Sequence, residues 1–302
     1  MKKILTIDGG GVRGMIPATV VRGLEEDLGK PCHEMFDMIS GTSVGGILTL
    51  ALASGISGYD CQKLIQKESP GIFQASTWRR MGFAFNQHTY KGDNLIKPMN
   101  KTFEEKWLAT DLHAEILVPA YELETKTPRF FSRSRARKRG DSNFRIADVA
   151  AATASAPTYF PPHRAVSEAG NHYSYIDGGV FANNPSMSAY VEARNIWPDE
   201  KEFMLISLGT GQETIRIPNT ESWGLWSWLS KGLLLSIVFD GVSDTTAYHV
   251  YNMIPLHHYY RLTKRVDIEM DDAAPETLAR LRNVGMEIRA TQEYKRVLEV
   301  LK

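Results

Sequence analysis

The chain has 302 residues, enough for one large α/β domain or two smaller ones with a core that needs no disulfide staples. With 43% hydrophobic and 23% charged residues it reads as an ordinary globular protein, and 35 basic against 35 acidic side chains exclude a global attraction to nucleic acid or anionic lipid. No DNA or RNA duplex is expected as a partner, and Cys32 and Cys61 stand in no metal or disulfide pattern.

The apolar run Ile4 to Ile7 ends at Asp8, far short of the ~7–15 residues of a signal-peptide core, so secretion is not expected. Residues 3–7 read as a strand, 9–14 as a glycine loop and Pro17 to Leu28 as an amphipathic helix. A second apolar run at 35–39 leads into Gly41-Thr42-Ser43-Val44-Gly45-Gly46 and a Leu/Ala-rich helix up to Ser54. Further strands are predicted at 115–123, 128–132, 172–176, 202–208 and 256–263, and helices at 59–68, 94–106, 146–155, 186–196, 224–239 and 276–301. No stretch reaches the ~18 apolar residues of a spanning helix, because the greasiest, 222–239, is split by Lys231. With no repeat and no linker, residues 1–302 read as one α/β domain, its central sheet mostly parallel and flanked by helices on both faces. Ligands of such sheets sit at the carboxyl ends of the strands, where both glycine-rich loops fall.

The first loop, Asp8-Gly9-Gly10-Gly11-Val12-Arg13-Gly14, formally satisfies a dinucleotide-binding fingerprint, but the second strand closes on Gly41-Thr42-Ser43 where a ribose-binding acid would be needed. Its consecutive glycines leave backbone N–H groups unshielded, which suits a developing oxyanion; a tight turn without a ligand is the plainer reading. The second motif, Gly41-Thr42-Ser43-Val44-Gly45, is a G-x-S-x-G elbow that would present the Ser43 hydroxyl at a helix N-terminus. Ser43 alone could equally be an N-cap, and the glycine loop upstream tips the reading toward a nucleophile. Eight histidines are present and none lies in a catalytic-loop context. The better base is Asp177 in Asp177-Gly178-Gly179, a carboxylate at a strand end that can project into a crevice, although Asp-Gly is also a common turn pair.

These motifs, in this order, resemble the patatin-like phospholipases over nearly the whole chain. Ala154 to Pro162, Asn183-Asn184-Pro185 and Ile206 to Gly211 resemble family segments as well. The resemblance implies a Ser43–Asp177 dyad acting on an ester carbonyl, an oxyanion held by N–H groups of the Gly9, Gly10 and Gly11 loop with Arg13 supporting it, and no metal or other cofactor. The competing hydrolase reading, an α/β-hydrolase triad of Ser43, Asp177 and His249 or His257, fits poorly, because only one strand precedes the strand that ends at Ser43.

Residues 223–239 hold three of the six tryptophans and predict an apolar helix, suited to a membrane face or a lid, or alternatively to the core or a homo-oligomer interface. Arg133, Arg135 and Arg137 in the basic run 133–139 would share one side if extended and could grip phosphates, whether of a lipid headgroup or of a nucleotide. The usual meaning of such a run is a solvated loop. Some patatin-like phospholipases are antiphage effectors switched on by a cyclic oligonucleotide, and this chain is similar to them in length and layout. The expected function is hydrolysis of membrane glycerophospholipids by a cytoplasmic enzyme peripheral to the bacterial inner membrane, either constitutive or under nucleotide control.

Overall fold

The computed structural model describes residues 1–74, 88–213 and 233–302. The chain opens with β1 (Lys2–Ile7), a 3-10 turn (Gly11–Gly14) and helix α1 (Met15–Leu28). It continues through α2 (Cys32–Met35), β2 (Met38–Gly41), α3 (Val44–Ala53), α4 (Gly58–Ile72) and α5 (Gly92–Phe103). Next come β3 (Glu115–Glu122), β4 (Thr127–Ser132), α6 (Arg133–Ala136), α7 (Ile146–Ala154), β5 (His163–Val166), β6 (His172–Asp177), α8 (Gly179–Ala182) and α9 (Ser186–Ile196). The rest is β7 (Phe203–Leu208), β8 (Gln212–Glu213), α10 (Leu233–Met253), β9 (Tyr259–Leu262), β10 (Arg265–Val266), α11 (Pro275–Arg289) and α12 (Gln292–Leu301).

The central sheet runs β5-β6-β3-β2-β1-β7-β9, with β4 also paired to β3. From β3 to β9 every pairing is parallel, whereas β4 and β6 pair antiparallel with β3, and β5 antiparallel with β6. A parallel core with an antiparallel margin is the predicted α/β class, and the short β3–β4 and β5–β6 connections permit hairpins and no helical crossover. Alternation along the strands feeds two cores. Leu5, Ile7, Ile39, Ile206 and Leu208 pack with the larger cluster beneath α1, α3 and α7. Ile4, Met38, Leu205 and Phe203 pack on the opposite face with residues of α9 and α10. Helices therefore cover both faces, as a buried parallel sheet requires.

Several predicted elements shift. The run at 35–39 begins as the end of α2, and the strand proper is Met38–Gly41. The stretch 276–301 is two helices, because Thr291 caps a new one by accepting the Tyr294 N–H at 3.2 Å. Of the predicted helix 224–239, residues 224–232 lie outside the described residues, and α10 runs on to Met253. The basic run does not extend β4. Arg133–Ala136 turn as a helix, so Arg133 and Arg137 fall on one side, where both approach Glu115 at 3.8 and 3.6 Å, while Arg135 pairs with Glu192. The expected common phosphate-gripping side of Arg133, Arg135 and Arg137 is thus not formed; each guanidinium faces a carboxylate. Among the described residues no helix is long and apolar enough to cross a membrane.

Candidate active site

Both glycine-rich loops and the Asp177 segment converge at the carboxyl ends of β1, β2 and β6. Ser43 follows β2 at φ 57° and ψ −126°, a region that non-glycine residues rarely enter, and its side chain makes no capping hydrogen bond to α3. Ser43 thus stands at the N-cap position, its carbonyl accepting the Ile47 N–H at 3.0 Å, while its hydroxyl does none of a cap's work. The elbow is closely walled: a Cβ at Gly41 would lie 2.0 Å from the Gly45 carbonyl oxygen, and one at Gly45 would lie 2.3 Å from that of Ile7. Glycine at both positions lets α3 start directly on the ends of β1 and β2. Gly14 serves the same closeness, since a Cβ there would meet Val44 at 2.5 Å.

Asp177 ends β6 and is fully buried, so it does not project into an open crevice. Its Oδ1 accepts the Gly179 N–H at 2.7 Å, which is the local turn bond expected of an Asp-Gly pair. Oδ2 has no hydrogen-bond partner at normal geometry, yet the Ser43 hydroxyl is close enough to act on the carboxylate as a donor. Such contacts are commonly long before substrate binds. Burial pushes the Asp177 carboxyl up to about 7, and the Gly179 N–H and the Ser43 hydroxyl only partly oppose it. The two glycines after Asp177 answer to packing: a Cβ at Gly178 would lie 2.3 Å from the Pro119 carbonyl oxygen, and one at Gly179 would lie 2.8 Å from the Phe239 ring.

In the first loop, the Gly9 N–H is taken by the Asn183 carbonyl at 3.0 Å, which removes Gly9 from the expected oxyanion donors. Among the described residues no backbone carbonyl takes the N–H of Gly10 or Gly11. Gly11 lines the same cavity as Ser43. Arg13 is buried and its Nε donates to the Gly10 carbonyl at 3.4 Å, so it braces the loop from behind. The cavity has a volume of about 80 Å³ and is walled mainly by apolar side chains, among them Ile47, Ile65, Leu95, Met99 and Phe239, with Glu68 and Asp271 also reaching it. Among the described residues no histidine lines it, and His249 and His257 are exposed.

Sequence reasoning gave no role to Thr153, Thr210, Ser207 or Arg261, which hold this arrangement. Thr153 Oγ1 accepts the Ser43 N–H at 3.0 Å, and Thr210 Oγ1 donates to the Gly9 carbonyl at 2.5 Å. Arg261 on β9 grips the Asp8 carboxylate with both guanidinium nitrogens and donates to Ser207 Oγ at 2.7 Å. Burial raises the Asp8 carboxyl while Arg261 opposes the rise, and two parallel guanidinium bonds fit an ionised carboxylate. The polar residues at the ends of β1 and β7 were the available signal.

The family model described as patatin-like phospholipase matches residues 5–190. Patatin-like protein 2 of Oryza sativa subsp. indica is 29% identical over 296 residues, covering 85% of this chain and 72% of its own length. A cGAMP-activated phospholipase of Vibrio cholerae serotype O1 is 27% identical over 332 residues, covering 97% of this chain and 91% of its own. The crystal structure of VipD from Legionella pneumophila overlaps 99% of this chain and 67% of its own, with a TM-score of 0.47 and 12% identity. The chain belongs to the patatin-like phospholipase family and is a lipid acyl hydrolase.

Proposed function

We propose that the chain, as one domain, hydrolyses fatty-acyl esters of membrane glycerophospholipids through Ser43 and Asp177. The observation that carries the reading is a serine held in a rare backbone conformation at the wall of an apolar cavity, beside a buried carboxylate whose Oδ2 is otherwise unpartnered. As Ser43 Oγ bonds to the ester carbonyl carbon, Asp177 takes its proton, and the N–H groups of Gly10 and Gly11 receive the negative oxygen. When the ester C–O bond breaks, Asp177 returns that proton to the departing alcohol. Water then gives a proton to Asp177 as it adds to the acyl-enzyme, the fatty acid leaves, and Ser43 regains its proton. A carboxyl titrating at about 7 suits both directions of transfer near neutral pH. The apolar cavity receives the acyl chain, and the enzyme works as a peripheral protein at the inner face of a bacterial membrane.

The test is hydrolysis of a fluorogenic phospholipid in vesicles. Ser43→Ala and Asp177→Asn should each abolish turnover while circular dichroism stays unchanged. Full activity in Asp177→Asn, with loss on replacing His249 or His257, would refute the dyad.

The Vibrio cholerae relative named a cGAMP-activated phospholipase favours a second reading, in which the same site belongs to an antiphage effector switched on by a cyclic oligonucleotide. Contact through Arg133, Arg135 and Arg137 would require opening their pairs with Glu115 and Glu192. Assay with a panel of cyclic di- and trinucleotides tests it, and turnover unchanged by every member would remove it for that panel.

A further inference from the structure

The glycine loop has little intrinsic reason to hold one shape. Gly10 sits at φ 158° and Gly11 at φ 55°, and glycine gives the backbone wide freedom there. Arg13 and Thr210 hold the Gly10 and Gly9 carbonyls, and the direction in which the loop leaves β1 depends further on what grips its root. Asp8 is that root, and its carboxylate is held by a side chain that starts two strands away. Arg261 on β9 lies opposite Ser207 of β7, which lies opposite Thr6 of β1. Thr6 and Asp8 are two residues apart and so share one face of the sheet. The Arg261 side chain crosses above Ser207, bonding its hydroxyl, and ends as a two-nitrogen fork on Asp8. The pair is well enclosed, with side-chain exposures of 17% for Arg261 and 5% for Asp8. Both residues border a small polar cavity that also touches Gly9 and Arg13, whereas Gly11 and Ser43 line the apolar one.

We infer that Arg261 is a positioning residue for catalysis: acting through Asp8, it fixes the direction in which the Gly10 and Gly11 N–H groups point. The inference rests on the proposed oxyanion role of that loop. A rigid fork can set this direction where a single flexible ammonium cannot. Since misplacing a donor by about 1 Å is enough to cost roughly 10²-fold in rate, loss of the fork has a kinetic signature distinct from loss of substrate binding.

The experiment compares Arg261→Lys and Arg261→Ala with wild type on a soluble short-chain p-nitrophenyl ester, with thermal melting as the folding control and Ser43→Ala as the control for the site itself. Arg261→Lys should stay folded and lose about 10²-fold in kcat with KM unchanged. Arg261→Ala should recover part of its kcat when millimolar guanidinium chloride is added, far below denaturing concentrations. Wild-type kcat in a folded Arg261→Lys would overturn the inference, as would losses that follow unfolding in both variants without guanidinium recovery. Activity retained in Ser43→Ala would instead sink the site reading on which it stands.

Discussion

Ser43 and Thr153 are tied through the backbone: the Ser43 N–H donates to Thr153 Oγ1 at 3.0 Å, and that hydroxyl donates onward to the Pro119 carbonyl at 2.6 Å. One buried hydroxyl thus links the serine elbow, α7 and β3, and it holds Ser43 in a conformation the backbone would otherwise leave. Thr153→Val keeps the shape and removes the bridge, taking the acceptor from the buried Ser43 N–H and the hydroxyl donor from the Pro119 carbonyl. The expected result is a loss of about 1–3 kcal/mol in stability together with a lower kcat. Thermal melting and ester turnover measured on the same preparation check it; a Val variant that melts and turns over like wild type would show the bridge to be idle.

The strain at Ser43 gives a second outcome. At φ 57° and ψ −126° a side chain is unfavourable and glycine is not. Ser43→Gly and Ser43→Ala should both be inactive, but the Gly variant should be the more stable of the two by about 1 kcal/mol, the relief of strain exceeding glycine's extra freedom when unfolded. Denaturant titration of the pair decides the sign. An Ala variant equal to or more stable than Gly would mean the elbow is not strained.

The order of the glycine motifs made the loop and the elbow legible from the residues alone, because close backbone approach at Gly41, Gly45 and Gly178 admits no other side chain. The partners that fix them were not legible. Thr153 is 110 residues from Ser43, and Arg261 is 253 from Asp8. Neither stands in a local pattern that says what it will meet. The arginine run was misread for the same reason: Glu115 and Glu192, which turn it inward, come from distant elements. In 276–301 a single apolar period hid the break at Ala290-Thr291, since no Gly or Pro marks it.

The pH dependence follows from the burial of Asp177. As a base it must be ionised, so kcat/KM on a soluble ester should rise with pH and level off above about 7. Stability should move the other way. The folded carboxyl is raised above its unfolded value near ~4, so the native state binds the extra proton between the two, and stability falls as pH rises through that window. Asp177→Asn removes the penalty: its melting temperature should match wild type near pH 4 and exceed it above pH 7, by up to about 4 kcal/mol in stability. A variant less stable than wild type at pH 8 would show that the ionised carboxylate is well accommodated.

The cavity beside Ser43 sets the last expectation, acyl-chain selectivity. Met99 on α5 is 1% exposed and lines the cavity, and Ile47, one turn along α3 from Ser43, lines it too. If the acyl chain lies among these side chains, each methylene it buries contributes about 0.8 kcal/mol, close to a factor of four in kcat/KM. Met99→Trp places a larger side chain into space that is otherwise open, so several methylenes of a long chain lose their contacts, whereas a butyryl chain has few to lose. The palmitate-to-butyrate ratio of kcat/KM should therefore fall by at least about tenfold, which needs only two methylenes displaced. Met99→Ala enlarges the same space and should shift the ratio toward longer chains, at a stability cost of about 2–5 kcal/mol. Ratios unchanged in both variants, with folding intact, would mean that the chain leaves Ser43 by another route and that this cavity belongs to the core.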